Sequence, residues 1–493
     1  MDCFAFRLAN TGFGVQAMLF NSFAYAIFLP VVFILYWALP HRWRWALILV
    51  SSYYFYMSWN AKYVVLILFT TLVSYLAGRI LEKSVTDKKK WILAFASIVC
   101  LGVLFFFKYF NFFSASVADI LGLFSVPLDP IAINFVLPVG ISFYTFQTIG
   151  YVVDVYRGEI PAERHFGKYA AFISFFPQLV AGPIERTKNL LPQIKAEHHF
   201  DYDSATYGLK LMAWGYFKKL VIADGLSQHV GKVYDAPQSY EGFALVLATL
   251  FFTLQIYGDF SGYSDIAIGT AKLFGVDLMT NFKSPYISQS LKEFWGRWHV
   301  SLSSWFRDYV YIPLGGNRVG RCRHYANLLL TFLASGLWHG ANWTFVLWGG
   351  VHGFGLILED LLFGKKESRG VLRILRTVCV FVFCAFAWLF FVSHSVADAW
   401  YVITHALTGI GNPVEYLHKG FSSIGIGRAK FAVEACFWAL LFVVDYHSLK
   451  QDMIGMMGKR GIVVRWGLYI CLALLVLFCS QKGVATEFVY FQF

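Results

Sequence analysis

Charged residues are scarce in this 493-residue sequence. Only 14% of it is Asp, Glu, Lys or Arg, whereas 58% is hydrophobic and 19% is aromatic. A soluble protein of this length cannot hide so much apolar surface in its core. The composition therefore excludes a soluble globular protein, and it predicts an all-α polytopic integral membrane protein because the apolar runs are long enough for helices to cross a bilayer.

Closely spaced cysteine pairs of the metal-binding kind are also missing. Most of the eight cysteines stand singly in apolar runs, where a thiol behaves as a small hydrophobic group. We expect neither a disulfide framework nor a metal site. No small-residue cleavage site follows the first apolar stretch, which is long enough to span, so a cleavable signal peptide is not evident. The cysteines in apolar runs are Cys100, Cys379, Cys384, Cys436, Cys471 and Cys479.

The formal net charge of +12 suggests nucleic acid as one class of partner. The lysines and arginines, however, fall in short gaps between apolar runs and do not form one solvated domain. This distribution is typical of charges that set membrane topology. We therefore expect the lipid bilayer as a partner, and no nucleic acid.

Twelve apolar runs are candidate membrane spans, because about 20 apolar residues cross the hydrocarbon core. We expect about eleven or twelve passes. The runs cover residues 20–39, 43–58, 63–81, 91–112, 133–154, 205–224, 240–257, 325–338, 343–363, 371–393, 430–447 and 465–480.

The gaps between the runs predict the orientation. Arg42 lies in the first gap, Lys88 in the third and Arg157 in the fifth, each with further basic residues, whereas the second gap around Lys62 is nearly uncharged. The positive-inside rule then places the odd-numbered gaps in the cytoplasm. Both chain termini are expected outside.

Two segments differ from simple spans. Residues 172–183 are apolar but interrupted by Pro177, Gly182 and Pro183, which predicts a re-entrant segment. Residues 259–310 mix acidic and aromatic residues, and we expect short helices in or below the cytoplasmic interface there.

The second of these segments contains His299. Ser290 and Glu293 fit a capping box, so a helix is predicted to begin there, with Glu293 and Arg297 paired on one face. His299 is predicted to point into the protein from another face. The residues predicted to share that inward face are Trp295, His299, Leu302 and Phe306.

A second histidine, His339, ends a short apolar run and is followed by Gly340 and Ala341. This pattern predicts a helical hairpin whose small apex lies inside the membrane. Ionisable residues at membrane depth are costly and mark functional sites. His352 lies among glycines further along, and close helix packing is favoured over catalysis for it.

Three strings around these histidines resemble the bacterial membrane-bound O-acyltransferases. They are Asp259-Phe-Ser-Gly-Tyr-Ser-Asp265, Arg297-Trp-His-Val-Ser-Leu-Ser303 with its continuation to Gly316, and Leu337-Trp-His-Gly-Ala-Asn-Trp343 with its continuation to Gly350. The branch most similar to this chain modifies alginate and peptidoglycan by O-acetylation, and the teichoic-acid D-alanyl transfer proteins are related. The resemblance runs from residue 18 to residue 493.

The resemblance implies a single membrane domain over residues 18–493, with the motif-bearing catalytic part at about 130–360. It implies roughly eleven transmembrane helices around a central site, with a cytoplasmic funnel for the donor and an outer opening for the acceptor. It also implies that His339 is catalytic and that His299 is its polar partner. Residues 1–17 lie outside the family pattern and are expected to be an N-terminal extension.

Acyl transfer to a hydroxyl needs a base for the hydroxyl proton and a donor for the oxyanion. A buried imidazole suits the role of base, so His339 is expected as the base, or as a transient acyl-imidazole nucleophile, and His299 as the group that orients it or bonds the thioester oxygen. Nearby hydroxyl and amide groups are candidates for binding substrate, with local helix capping as the alternative. Basic residues beside His299 are candidate phosphate contacts, with topology as the alternative. These candidates are Ser303, Tyr309, Asn342, Lys292, Arg297, Arg307 and Arg318.

We expect an enzyme of the bacterial cytoplasmic membrane that moves an acyl group, most simply acetyl, from a cytoplasmic thioester to a cell-surface polysaccharide. The expected donor is acetyl-CoA or an acyl group on phosphopantetheine, used as a substrate and not as a bound cofactor. Related systems imply an extracytoplasmic, membrane-anchored acetyltransferase of the SGNH type as partner. D-alanyl transfer from an acyl carrier protein is an alternative, and so is an acyl or lipid transporter without chemistry, which the lack of an inverted repeat disfavours.

Overall fold

The computed structural model describes residues 18–126, 128–133, 136–180, 182–362, 369–480 and 488–489. The expected N-terminal extension, residues 1–17, lies outside them. The described residues are 77% helical and contain no strand, as predicted. The α-helices are α1 Phe23–Ala38, α2 His41–Asn60, α3 Val64–Lys83, α4 Thr86–Leu104, α5 Phe110–Leu123, α6 Ile141–Tyr156, α7 Phe166–Ser174, α8 Phe176–Leu179, α9 Thr187–Lys195, α10 Tyr202–Tyr216, α11 Asp224–Tyr234, α12 Phe243–Leu273, α13 Leu291–Trp295, α14 Val300–Phe306, α15 Arg321–His339, α16 Trp343–Leu362, α17 Val371–Val392, α18 Val396–His405, α19 Pro413–Ile424, α20 Arg428–Ser448, α21 Met453–Gly458 and α22 Ile462–Cys479.

Short irregular helices join several of these elements. The 3₁₀-helices are Ala61–Tyr63, Pro237–Ser239 and Pro285–Ile287, and the π-helices are Phe105–Tyr109, Phe217–Ala223 and Arg307–Tyr311. Single π-helical turns occur often at functional sites.

Six helical stretches in the described part of the chain are long and apolar enough to cross a membrane. Each of the twelve predicted runs contains helix, but the predicted count of about eleven passes is not established by these six. The six stretches are His41–Lys83, Asp87–Leu123, Phe243–Leu273, Trp343–Leu362, Val371–Val392 and Ile462–Cys479.

The prediction of short interfacial helices throughout residues 259–310 is wrong for its first part. Asp259 and Asp265 lie within α12, which continues unbroken through both. The helix accommodates them because the Asp259 carboxylate lies 2.6 Å from the ammonium of Lys219 and the Asp265 carboxylate lies 2.6 Å from that of Lys218. Buried carboxylates are tolerated when they are paired in this way. Short helices begin only with the 3₁₀ turn that follows α12.

The predicted span 133–154 starts later than expected. Residues 136–140 are not helical, residues 134 and 135 lie outside the described part, and α6 begins at Ile141. Gly140 precedes the helix with a left-handed backbone, φ 73°, which glycine adopts without steric cost. Because of this turn the helix begins only at Ile141, and its N-terminus lies next to α8.

The segment predicted to be re-entrant forms two short helices, α7 and α8, separated by a break at Phe175. Both helices are buried along most of their length. A Cβ atom on Gly140 would lie 2.6 Å from the carbonyl oxygen of Leu179, so the turn before α6 packs directly on the end of α8. The re-entrant position of this segment in a membrane stays a prediction.

The predicted hairpin at residues 325–363 is present as α15 and α16. The two helices approach closely because Gly336 and Gly349 face each other's backbones, and a Cβ atom on Gly336 would clash with the Phe345 carbonyl oxygen. Small residues at such crossings allow helix backbones to touch in a membrane. The hairpin apex places His339 at the very end of α15.

Candidate functional site

His339 is the last residue of α15 and is only 3% exposed. Its ring lies between aromatic side chains, with ring centroids 4.9 Å from Trp348 and 5.4 Å from Phe391. The predicted buried position of His339 is therefore confirmed.

His299 lies between two short helices and not within one, so the predicted continuous helix is wrong. Ser290 caps α13 as predicted, accepting a hydrogen bond of 3.0 Å from the Glu293 amide, but α13 ends at Trp295. His299 has a left-handed backbone, φ 43° and ψ 52°, and α14 begins at Val300. A residue other than glycine pays roughly 1–3 kcal/mol for such a conformation, and such strain is concentrated at functional sites.

Tertiary contacts explain why the helix breaks there. The Val300 amide donates to the carbonyl oxygen of Asn281 at 2.9 Å, and the Lys283 amide donates to that of Arg297 at 3.0 Å. These bonds tie the chain around His299 to the segment that follows α12. His299 is fully buried, as predicted, although its helical neighbours differ from those expected.

The fold brings the two histidines together. Their ring centroids are 6.5 Å apart, and the ring of Trp338 lies 6.2 Å from that of His299. Phe260 of α12 covers His299 edge-on at 4.6 Å. The site is therefore a pair of imidazoles in an aromatic enclosure.

Asn281 determines which nitrogen of His299 carries the proton. Its side-chain oxygen accepts from the Ser301 hydroxyl at 2.7 Å and lies 3.2 Å from His299 Nδ1. A carboxamide oxygen only accepts, so the proton is on Nδ1 and the lone pair is on Nε2. Burial lowers the pKa of His299 to about 3, which keeps the ring neutral near pH 7.

His352 lies in a different environment from the histidine pair. It is fully buried, and the Trp295 indole N–H donates to its Nδ1 at 3.3 Å. Its ring is 5.0 Å from both Trp295 and Trp348. These contacts agree with the packing role that the sequence favours for it.

Comparison with known proteins agrees with the motifs that surround this site. A model of the membrane-bound O-acyltransferase family matches residues 159–397. A probable alginate O-acetylase of Pseudomonas aeruginosa is 41% identical over 388 residues, which are 78% of this chain and 74% of that protein. The chain belongs to the membrane-bound O-acyltransferase family.

Two further relatives show the range of this family. A peptidoglycan O-acetyltransferase of Helicobacter pylori is 34% identical over 426 residues, covering 78% of this chain and 79% of that protein. A teichoic acid D-alanyltransferase of Streptococcus thermophilus is 31% identical over 243 residues, covering 46% of this chain and 58% of that protein. The predicted family is confirmed, and the protein is a multi-pass membrane O-acyltransferase.

Two of this acyltransferase's predicted substrate-binding residues make local bonds. The Ser303 hydroxyl donates to the Trp298 carbonyl oxygen at 3.2 Å. Asn342 accepts from the Thr344 amide at 3.0 Å and donates to the His394 carbonyl oxygen at 2.8 Å, so it caps α16 and ties it to the end of α17. Both contacts fit the capping alternative.

The predicted phosphate contacts near His299 have acidic neighbours. Arg297 pairs with Glu293 at 2.6 Å, as predicted. Arg307 pairs with Asp308 at 2.8 Å, and its side chain is 62% exposed. Arg307 is therefore open to a ligand, whereas Arg297 is paired with Glu293 of the short helix α13.

The structure also reveals a buried arginine beside Asp308 that the sequence interpretation missed. Arg186 lies 2.9 Å from the Asp308 carboxylate, and its guanidinium lies 4.5 Å from the ring centroid of Tyr309. The Tyr309 hydroxyl in turn donates to Asp154 at 2.6 Å. Tyr309 is thus bound within a charged network.

Lys108 and Asn281 are the residues of the histidine site that the sequence interpretation missed. The Lys108 ammonium donates to the carbonyl oxygens of Trp338 at 2.8 Å and His339 at 2.9 Å. A lone lysine in a run of phenylalanines was a usable signal, because a charge in an apolar run marks functional sites. Asn281 carried no such signal, since it stands in a polar segment.

Proposed function

We propose that this acyltransferase passes an acetyl group from a cytoplasmic thioester through the bacterial cytoplasmic membrane to a cell-surface polysaccharide, with His339 as general base. The observation that carries the proposal is the approach of His299 and His339, which lie 40 positions apart in sequence and 6.5 Å apart between ring centroids. The names of the alginate and peptidoglycan relatives support acetyl as the group and a polysaccharide as the final acceptor.

The proposed reaction moves one proton in each of two steps. His339 takes the proton of the attacking hydroxyl while the hydroxyl oxygen bonds to the thioester carbon. The tetrahedral intermediate then re-forms its carbonyl, the carbon–sulfur bond breaks, and His339 returns the proton to the departing thiolate. An ester and a free thiol result.

His299 is proposed to orient His339. Sequence analysis leaves two roles for it, orienting His339 or bonding the thioester oxygen. The contact with Asn281 favours the first, because a lone pair on Nε2 accepts an N–H bond and cannot donate to an oxygen. The strained backbone of His299 holds the ring in this position.

Acetyl-CoA is the proposed donor, and a thiol-release assay tests it. Purified protein in lipid nanodiscs, given acetyl-CoA and the exported acetyltransferase proposed as its partner, is expected to release free CoA and to acetylate the partner. The parallel reaction with a D-alanyl-loaded carrier protein is expected to stay at background. Turnover with the D-alanyl carrier alone would support the rival branch. Accumulation of intact acyl donor inside sealed proteoliposomes that contain the protein would support transport without chemistry.

The proposed orientation is tested by labelling a matched pair of exposed lysine positions. In a background without the native cysteines, Lys88→Cys is expected to react with a membrane-impermeant maleimide only after the cells are opened, because the third gap is predicted to be cytoplasmic. Lys62→Cys, in the nearly uncharged second gap, is expected to react on intact cells. Labelling of Lys88→Cys from outside would reverse the topology.

A further inference from the structure

A small cavity of about 50 Å³ opens beside His339. The described side chains around it include basic groups but no acidic one. Lys108, Ser142 and Trp338 line it together with His339 and the backbone before α6, and none of the described residues that line it is acidic. The cavity therefore favours negative charge next to the proposed base.

Lys108 brings its side-chain amino group to this cavity. It stands in the π-helical turn after α4, and two of its three ammonium protons are used by the carbonyl oxygens of Trp338 and His339. Within the described part of the chain, no carboxylate forms an ion pair with it. When it is protonated, the Lys108 amine has three N–H donors, and the third is available to an anionic ligand, which in turn favours the protonated form.

Two further donors belong to residues that line the same cavity. The side chain of Ser142 is buried, and no hydrogen bond to its hydroxyl is found among the described residues. The indole nitrogen of Trp338 is also buried and lacks a partner in that part of the chain. Buried polar groups without partners are rare, and each calls for an explanation.

The backbone adds positive electrostatic potential to this cavity. The cavity includes Gly140 and Ile141, at the N-terminus of α6, a helix of 16 residues. The positive end of the helix dipole therefore faces the same space as the ammonium group. The left-handed Gly140 makes this approach possible, because a side chain there would meet the carbonyl oxygen of Leu179.

We propose that Lys108, Ser142 and Trp338 form the oxyanion site of this enzyme, which binds the negative oxygen of the tetrahedral intermediate while His339 holds the proton. The inference rests on the proposed function, because the negative charge that this site binds develops only during the proposed acyl transfer. When the hydroxyl attacks, the carbonyl electron pair moves onto oxygen and is stabilised by these donors. It returns when the carbon–sulfur bond breaks.

Lys108→Met and Ser142→Ala test the site separately. Removing one oxyanion donor lowers kcat by roughly 100- to 1,000-fold in enzymes where it has been measured. We expect a loss of this size for Lys108→Met and a smaller loss for Ser142→Ala, with KM for acetyl-CoA unchanged, because the interaction forms only in the transition state. Lys108→Arg, which keeps the charge, is expected to restore part of kcat. The exposed Lys62→Met serves as the matched control and is expected to keep full kcat.

The outcomes separate this inference from the proposed function. If His339→Ala is inactive but Lys108→Met and Ser142→Ala keep the kcat of the unchanged protein, the oxyanion site is overturned and the base stands. If His339→Ala is fully active, the proposed function itself fails. Ser142→Ala removes no bond to α15, so a loss of kcat in that variant cannot come from a displaced His339 carbonyl. Unchanged kcat in Ser142→Ala with a loss only in Lys108→Met would reduce Lys108 to a support for α15 and overturn the shared site.

Discussion

His339→Ala is expected to lower kcat for thiol release from acetyl-CoA by roughly 100- to 10,000-fold, the range that a positioned general base contributes. The imidazole is buried at the end of α15, so bulk water cannot replace it as the base. KM for acetyl-CoA is expected to change little, because the base acts on the hydroxyl proton and not on the donor. The measurement is steady-state release of free CoA by purified protein in nanodiscs.

Three other histidine variants test whether the loss of activity is specific to His339. His299→Ala is expected to lose activity too, and His418→Ala, on an exposed position of α19, is expected to keep it. Undiminished turnover in His339→Ala would contradict its assignment as base. Loss of turnover in His352→Ala with normal turnover in His339→Ala would move the site into the aromatic cluster around Trp295.

Lys219→Met is expected to destabilise the fold by about 3–5 kcal/mol, the usual effect of removing one partner of a buried ion pair. Its ammonium lies 2.6 Å from the Asp259 carboxylate and 2.9 Å from that of Asp224, and all three side chains are buried. The substitution leaves the buried carboxylates of Asp224 and Asp259 without the cation that they share. Chemical denaturation in detergent, followed by tryptophan fluorescence, measures the loss.

A compensating variant and a surface control accompany this measurement. Adding Asp259→Asn to Lys219→Met is expected to recover part of the stability, because one buried charge is removed. Lys188→Met breaks an exposed contact with Glu159 at 4.0 Å and is expected to cost less than about 1 kcal/mol. Equal losses for Lys219→Met and Lys188→Met would show that the buried cluster does not support α12.

Hydropathy and motif alone determined the class of this protein. Long apolar runs require helices, since every backbone polar group at membrane depth must be satisfied within its own segment. The cap at Ser290, the hairpin around His339 and the pairing of Arg297 with Glu293 were all predictable, because each depends on residues a few positions apart. The motifs around His299 and His339 likewise identified the family.

Only the tertiary structure decided how distant segments meet. Lys108 binds the carbonyl oxygen of His339 across 231 positions, and Asn281 meets His299 only because the chain leaves its helix there with a strained backbone. The segment that begins at Asp259 was predicted to form short helices, but Asp259 lies inside the long helix α12, where Lys219 from another segment neutralises it. Local patterns report the periodicity and polarity of a segment. Which charge neutralises which, and which donors share a cavity, depends on packing between segments that no local pattern contains.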